Sequence, residues 1–448
     1  MIRKITIDIE RLGPIQGPFR ICLHPFMMFS GASNLGKSYL AMLVHYVYKV
    51  LCGEEVIRFF IEKDADYDTL KERLSEESQL IYEFQIEEFE QWVNMQAIAY
   101  LRKTLGHAEL NAQFQIHFPH LPEKMIFLYS RNVMSVNDGA EMEYVDVLRL
   151  KDTEHVVQLP RADFGGWRSI PFSYLFVRYM RGAYDFLLDK TFFLPPSRGS
   201  ILSMPNSLTY QLRGTKDDKM GMYWEFLDDL SDLMTANTLS QPSNVIHQAA
   251  DLMHKEVLKG DVEIVDNNWQ YRQEERSIPM SAAASSIREL APFALMINKG
   301  IVGRYSILFE EPESHLHPEL QVGVADLLAY VIQEGAHCQI TTHSDYLLRR
   351  INDLIRLAVL KMHMPTEEYE AYCEQLGMNP ELVIEPDRVG AYYLSMGPDG
   401  LSRVEKQDAT KGVPFDTFTK VLNEQLGRSA RLYEEVEYLD ETEDGVKI

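Results

Sequence analysis

The octet Gly31-Ala32-Ser33-Asn34-Leu35-Gly36-Lys37-Ser38 constrains this chain more than any other stretch. It has the spacing G-x-x-x-x-G-K-[ST] and lies between an apolar run and a helical pattern. In such a loop the glycines let backbone N–H groups point inward at a phosphate. The lysine bridges β and γ oxygens, and the serine hydroxyl ligates Mg2+. The preceding run, "FRICLHPFMMF", alternates and then turns wholly apolar, as a strand entering a buried sheet should. After the loop, Lys37 to Leu51 is apolar on most faces, and Gly53 suits a helix C-cap. A helix placed there directs its N-terminal dipole at an anion. This context favours a phosphate loop over an ordinary Gly-bounded turn.

Three further stretches extend the reading. "RYSILFEEPESHLHPELQ" supplies a buried strand, Ile307 to Phe309, ending in paired carboxylates, after which Pro312 halts the ladder. A carboxylate at that edge of an α/β sheet sits where ligands bind, so Glu310 suits the Mg2+ shell. Glu311 is then the candidate to orient or deprotonate an attacking water. Taken alone, the two acids read as surface charge. "CQITTHSDYLL" gives a second strand leading to His343, a candidate γ-phosphate sensor or a structural histidine. In "SAAASSIRELAPFALM", Ser285 or Ser286 reads either as a helix cap or as a signature loop completing the ATP site of a second subunit. His315 and His317 lack a third ligand nearby, and Pro318 explains them as a helix entry.

Composition narrows the partners. The 44 basic and 67 acidic residues give a net charge of -23, which argues against a broad DNA footprint, although a local basic groove remains open. No run of about 18 apolar residues marks a membrane span. The N-terminal "MIRKITIDIERLG" alternates like a strand and lacks a signal peptide's apolar block. Cys22, Cys52, Cys338 and Cys373 have no metal-ligand spacing and read as reduced thiols, so a cytoplasmic protein is expected. The acidic run Tyr433 to Asp444 reads as a solvated terminus or a docking tail.

The expected organisation is α/β throughout. Residues 1–53 hold the phosphate loop, 54–107 an acidic helical insert, and 108–204 a β-rich remainder. Residues 205–260 form a second helical insert, 261–351 carry the signature, carboxylates and histidine, and 352–448 form an α/β cap with the acidic tail. "GDVEIVDNNWQYRQ" predicts a hairpin with an Asn267-Asn268 turn. Neither insert sustains the heptads of a long coiled-coil arm.

Together and in this order, these elements resemble the ABC-type ATPases of the SMC, RecF and OLD clade. They are most similar to the compact "AAA family" ATPases of bacterial phage-defence operons such as PARIS and Septu. "EEPESHLHP" resembles that clade's Walker B and D-loop, "TTHSDYLL" its switch histidine, "ASSIREL" its signature and "FFLPPSRGSIL" its Pro-x-x-Arg strand–loop. The resemblance implies an ABC-type P-loop ATPase head without a coiled-coil arm, using ATP and Mg2+. It assigns phosphate to Gly31, Ala32, Ser33, Asn34, Leu35, Gly36 and Lys37, and Mg2+ to Ser38 and Glu310. Glu311 becomes the general base and His343 the switch, with Lys37 supporting catalysis. Ser285 and Ser286 would act across an interface. Arg198 is singled out by the resemblance alone, and a plain salt-bridge role fits it equally. Glu310 replaces the usual aspartate, the signature lacks the glycine expected after its serines, and no Q-loop glutamine can be placed.

OLD-type nucleases add a glutamate and an Asp-x-Asp pair at strand ends, and no such pair follows His343. The resemblance therefore implies a homodimer or higher even-numbered oligomer controlling a separate effector, a nuclease or toxin, under a phage-derived trigger. The alternative is a RecF-like repair ATPase with DNA across its dimer, which would show a steep salt dependence of binding. A transporter subunit and a non-hydrolysing scaffold fit the motifs less well.

Overall fold

The computed structural model of the chain describes residues 4–73, 79–136, 141–159, 168–204, 221–413 and 423–436. The chain opens with β1 (Thr6–Leu12), β2 (Ile15–Cys22) and β3 (Phe26–Gly31), then the phosphate loop and α1 (Lys37–Cys52). Next come α2 (Val56–Glu62), α3 (Tyr67–Arg73), β4 (Gln79–Gln85), α4 (Ile86–Thr104) and β5 (Ala112–His117). They lead into β6 (Lys124–Val136), β7 (Glu141–Leu150), β8 (Val156–Gln158) and α5 (Ile170–Tyr184). Then follow β9 (Lys190–Leu194), the short α6 (Arg198–Leu202), α7 (Met222–Thr235) and α8 (Asn244–Leu252). A small sheet of β10 (Asp261–Val265), β11 (Asn268–Gln273) and β12 (Arg276–Pro279) precedes α9 (Ser285–Asn298). The last stretch holds β13 (Tyr305–Glu310), α10 (Pro318–Gln333), β14 (His337–Thr342), α11 (Asp345–His363), α12 (Thr366–Leu376), β15 (Val389–Met396) and β16 (Ser402–Gln407). Residues 423–436 are helical and exposed.

Nine strands form one mixed sheet in the order β5-β1-β2-β16-β15-β3-β14-β13-β9. From β15 to β9 all neighbours run parallel, and from β5 to β2 they run antiparallel. All six residues of β3 are buried, because helices cover both faces of this part of the sheet. Its side chains alternate between two cores: Met27 and Phe29 join one, Phe26 and Met28 the other. The α/β fold is as expected, and among the described residues no helix exceeds the 19 residues of α4 and α11, so no long coiled-coil arm is present.

Three expectations need correction. Residues 352–448 were expected as a cap, yet β15 pairs directly with β3 and β16 joins β15 to β2, in the middle of the sheet. The segment 54–107 is not purely helical, since β4 pairs with β6 in a separate four-stranded sheet, β4-β6-β7-β8. Phe59, Phe60, Phe89, Phe172 and Phe176 are fully buried there, with edge-to-face contacts such as Phe89–Phe176 at 4.9 Å and 89°. The hairpin turn is Asp266-Asn267, one residue earlier than predicted, because both residues hold the positive φ of a two-residue hairpin turn. Residues 205–220 of the second insert and 437–444 of the acidic run lie outside the described residues.

Candidate nucleotide site

The parallel order β3-β14-β13 puts the C-terminal ends of these strands side by side, where sheets of this kind bind ligands. The phosphate loop leaves β3, His343 follows β14, and Glu310 and Glu311 close β13. Ala32, Ser33 and Asn34 are exposed at the tip, whereas Leu35 is only 2% exposed and anchors the loop in the core. Two glycines are required. Gly31 has φ 131°, and a Cβ there would lie 2.2 Å from the Leu394 carbonyl oxygen on β15. Gly36, at φ 93°, would meet Ile15 at 2.9 Å. Asn34 takes the remaining left-handed position, φ 62°, which its residue type tolerates.

Lys37 is 6% exposed and folds back to donate to the Gly31 and Ala32 carbonyls, at 3.1 and 2.8 Å. Burial pulls its ammonium down to about 8, against the opposing pull of Glu311, Glu313 and Glu310. The Ser38 hydroxyl donates to Glu310 Oε2 at 2.5 Å. Glu310 is 2% exposed, and its other oxygen, Oε1, is buried without a hydrogen-bond partner. Burial pushes its carboxyl up to about 7, opposed by the Ser38 hydrogen bond. A buried carboxylate oxygen without a partner, beside a hydroxyl oxygen, is the hard donor set that Mg2+ takes when substrate phosphates and waters complete its shell. The residues therefore fit the ion: Ser38 and Glu310 would hold it, and it would supply charge neutralisation at the β and γ oxygens.

Glu311 is forced into shape by its backbone. Its φ is 44°, rare for a non-glycine residue, and its N–H is tied to the Thr341 carbonyl at 3.0 Å. The carboxylate accepts from Ser314 Oγ at 3.0 Å and stands 3.8 Å from His343 Nε2. His343 also reaches the Gly31 carbonyl, and burial, then the Lys37 charge, lower its pKa. Lys37, Ser38, Glu310, Glu311 and His343 thus form one cluster.

Glu313 was not anticipated. Its Oε1 accepts the Thr342 hydroxyl at 2.8 Å and the His343 N–H at 2.7 Å, while Oε2 is buried without a partner. Burial raises its pKa. It fixes the backbone of the histidine, and only these hydrogen bonds and its buried Oε2 separate the half-buried residue from an ordinary surface glutamate in "EEPES". Arg198 proves to be an internal brace. It is fully buried and stacks on Phe309 at 4.5 Å. It donates to the carbonyls of Glu289, Pro195 and Glu310 at 2.8–2.9 Å and reaches that of Glu311 at 3.5 Å. Burial lowers it to about 10, opposed most by Glu289.

Ser285 and Ser286 stand apart. Among the described residues neither is hydrogen-bonded to a member of the cluster, and neither caps a helix. The helix begins at Ser285 itself after Ala284, with no side-chain cap. His317 is exposed, and no group of three potential metal-ligating side chains occurs among the described residues.

Residues 215–348 match the AAA ATPase domain. That segment contains Ser285, Ser286, Glu310, Glu311 and His343 but not the phosphate loop, which the sheet delivers to them. A comparison with curated proteins finds no match. Among solved structures, the SMC head bound to the C-winged helix domain of ScpA aligns at 13% identity and TM-score 0.36, covering 92% of this chain and 98% of that one. The SMC head domain from Thermotoga maritima aligns at 11% and 0.32, covering 90% and 99%. An SMC head with an extended coiled coil, bound to the C-terminal domain of ScpA derived from Pyrococcus furiosus, aligns at 11% and 0.36, covering 94% and 98%. At these values the functional reading rests on the site itself.

Proposed function

We propose that this chain is an ATP-binding and ATP-hydrolysing switch that dimerises around nucleotide and controls a separate effector protein, a nuclease or toxin, in defence against phage. The observation that carries the ATPase part is the meeting of Ser38 and Glu310 beside a buried carboxylate oxygen, with Glu311 and His343 alongside. The phosphate loop's backbone N–H groups and Lys37 bind the triphosphate; Ser38 and Glu310 would hold Mg2+, which would supply charge neutralisation there. Glu311 accepts the proton of the attacking water, and His343, poised between Glu311 and Gly31, senses the γ-phosphate.

The dimer part is supported by the N-terminus of α9. Its first N–H groups have no side-chain cap, and Ser285 is exposed, so an anion held by a second copy would satisfy them. The effector reading is drawn from the motif resemblance. In the test, Glu311→Gln is mixed with ATP and Mg2+ and its mass followed by light scattering. A shift to a dimer or larger even-numbered species, absent in Ser286→Arg, is expected; a mass that ignores nucleotide removes the switch. A nuclease or toxin gene beside this one supports the effector, and an unrelated neighbour removes it.

A further inference from the structure

A second cavity lies at the opposite end of the same strands. Its volume is about 540 Å³, within the range of about 300–1,000 Å³ usual for small-molecule sites. The parallel strands β15, β3 and β14 begin at this edge: Phe26 is level with Val389 and with Cys338, whose N–H donates to the Pro25 carbonyl at 2.7 Å. His24, His337 and Arg388, the residues just before or opening these strands, therefore converge on one space, joined there by Lys4 and by Tyr48 of α1.

The polar groups of the cavity are arranged, and their hydrogens can be assigned. His24 Nδ1 lies 2.7 Å from the Cys22 carbonyl, which can only accept, so the ring donates from Nδ1. The Tyr48 hydroxyl gives its one proton to the His24 carbonyl at 3.0 Å. His337 Nδ1, 3.0 Å from that hydroxyl, must then donate to it. Among the described residues neither Nε2 has a hydrogen-bond partner, so both imidazoles keep a lone pair there. Among the described residues Lys4 makes one 3.4 Å bond, to the Asp387 carbonyl, while Arg388 donates to the Ile332 carbonyl at 3.0 Å and stands 3.8 Å from the exposed Glu385 carboxylate. Both cations are partly buried, whereas the two lining carboxylates, Asp185 and Asp387, are exposed at the mouth. Charge acts more strongly from the less hydrated position, so the interior favours an anion. Ile5, Leu23, Leu51 and Phe186 make the remaining wall apolar.

We propose that this cavity is a second small-molecule site, built for an anion with a flat apolar body carrying an N–H donor, and linked to the nucleotide site. Lys4 and Arg388 take the negative group, the imidazole Nε2 atoms accept from the donor, and Phe186 and Leu51 cover the ring. The site shares β3, β14 and α1 with the phosphate loop, His343 and Ser38, across about 20 Å of six-residue strand. A ligand that shifts those elements changes nucleotide affinity, and nucleotide changes its affinity by the same factor. That linkage, unlike the site itself, rests on the nucleotide reading above.

The test uses 8-anilinonaphthalene-1-sulfonate, an aromatic anion with one N–H, and its sulfonate-free analogue N-phenyl-1-naphthylamine. Fluorescence titration of the full chain should show one saturable site for the anion, retained in Lys37→Ala. A Cβ at Gly182, on the cavity rim, meets nothing within 4 Å, so Gly182→Trp adds an indole at the opening and should abolish binding of both probes. Lys4→Glu should weaken the anion at least tenfold and leave the neutral analogue within twofold. Circular dichroism confirms that both variants fold. No saturable site in the wild type, or equal binding of the anion by wild type, Gly182→Trp and Lys4→Glu, overturns the proposal. ATP with Mg2+ should change the anion's affinity in the wild type and not in Lys37→Ala; an unchanged affinity in a wild type shown to bind ATP directly overturns the linkage alone.

Discussion

Ser38 and Glu310 are 272 residues apart in the chain, and the hydroxyl of one donates to the carboxylate of the other at 2.5 Å. The contact exists because the strand that feeds the phosphate loop and the strand that ends in Glu310 flank β14 in one parallel sheet. Removing the hydroxyl in Ser38→Ala takes away one metal ligand and one partner of a buried acid. MgATP affinity should fall on the order of tenfold or more, about 1.4 kcal/mol. Affinity for ATP in EDTA should change much less. Calorimetric titration under both conditions checks this; an equal loss in both would show that Ser38 does not serve the metal.

Glu311, the proposed base, combines a strained backbone with side-chain contacts to Ser314 and His343. Glu311→Gln keeps the shape and the Ser314 hydrogen bond but not the proton acceptor. Phosphate release should drop by about 10²- to 10⁴-fold while nucleotide affinity holds. Single-turnover kinetics beside a direct binding measurement separate the two effects. Undiminished turnover removes Glu311 from the base role.

Arg198 holds the carbonyls of Pro195, Glu289, Glu310 and Glu311 from a fully buried position. In Arg198→Met these acceptors lose their donor, and the Glu289 carboxylate, 3.4 Å from the guanidinium, loses its buried counter-charge. Destabilisation of about 3–5 kcal/mol is expected, read as a lower urea midpoint. Arg198→Lys keeps the charge without the planar fork and should recover only part of it. A midpoint unchanged in Arg198→Met would contradict the brace.

Burial lowers His337 from 6.5 to about 3. Above pH 6.5 both folded and unfolded forms are neutral, and the stability tied to this group is fully present. As pH falls from 6.5 towards 3 the unfolded chain binds the proton first, so that stability is lost. His337→Gln removes the effect. Between pH 4 and 6 the wild type should lose about 1.4 kcal/mol more per pH unit than the variant. Urea melts across that range measure the difference, and parallel curves would show that His337 titrates normally.

The octet at 31–38, the acids at 310 and 311 and the histidine at 343 were legible in the sequence, because each depends on turn chemistry and period over a handful of neighbouring residues. The strands carrying them were legible for the same reason: β3 and β13 are short apolar runs closed by a glycine or a carboxylate. The hydrogen bonding of Glu313 and the bracing by Arg198 were not. Both side chains owe their roles to carbonyls, hydroxyls and amides supplied by elements far away in the chain.

Local pattern determined what kind of loop follows β3 and which acids and histidine end the other strands. Only the tertiary structure decided that β15 lies against β3, where the Leu394 carbonyl leaves room for nothing larger than glycine at position 31. It also decided that the first turn of α9 starts uncapped at Ser285, and that two histidines meet at the far edge of the sheet. The physical reason is one of range. Periodicity and turn propensity act over a few residues, whereas strand order is set by how two whole cores pack on the faces of a nine-stranded sheet, which no single stretch of sequence encodes.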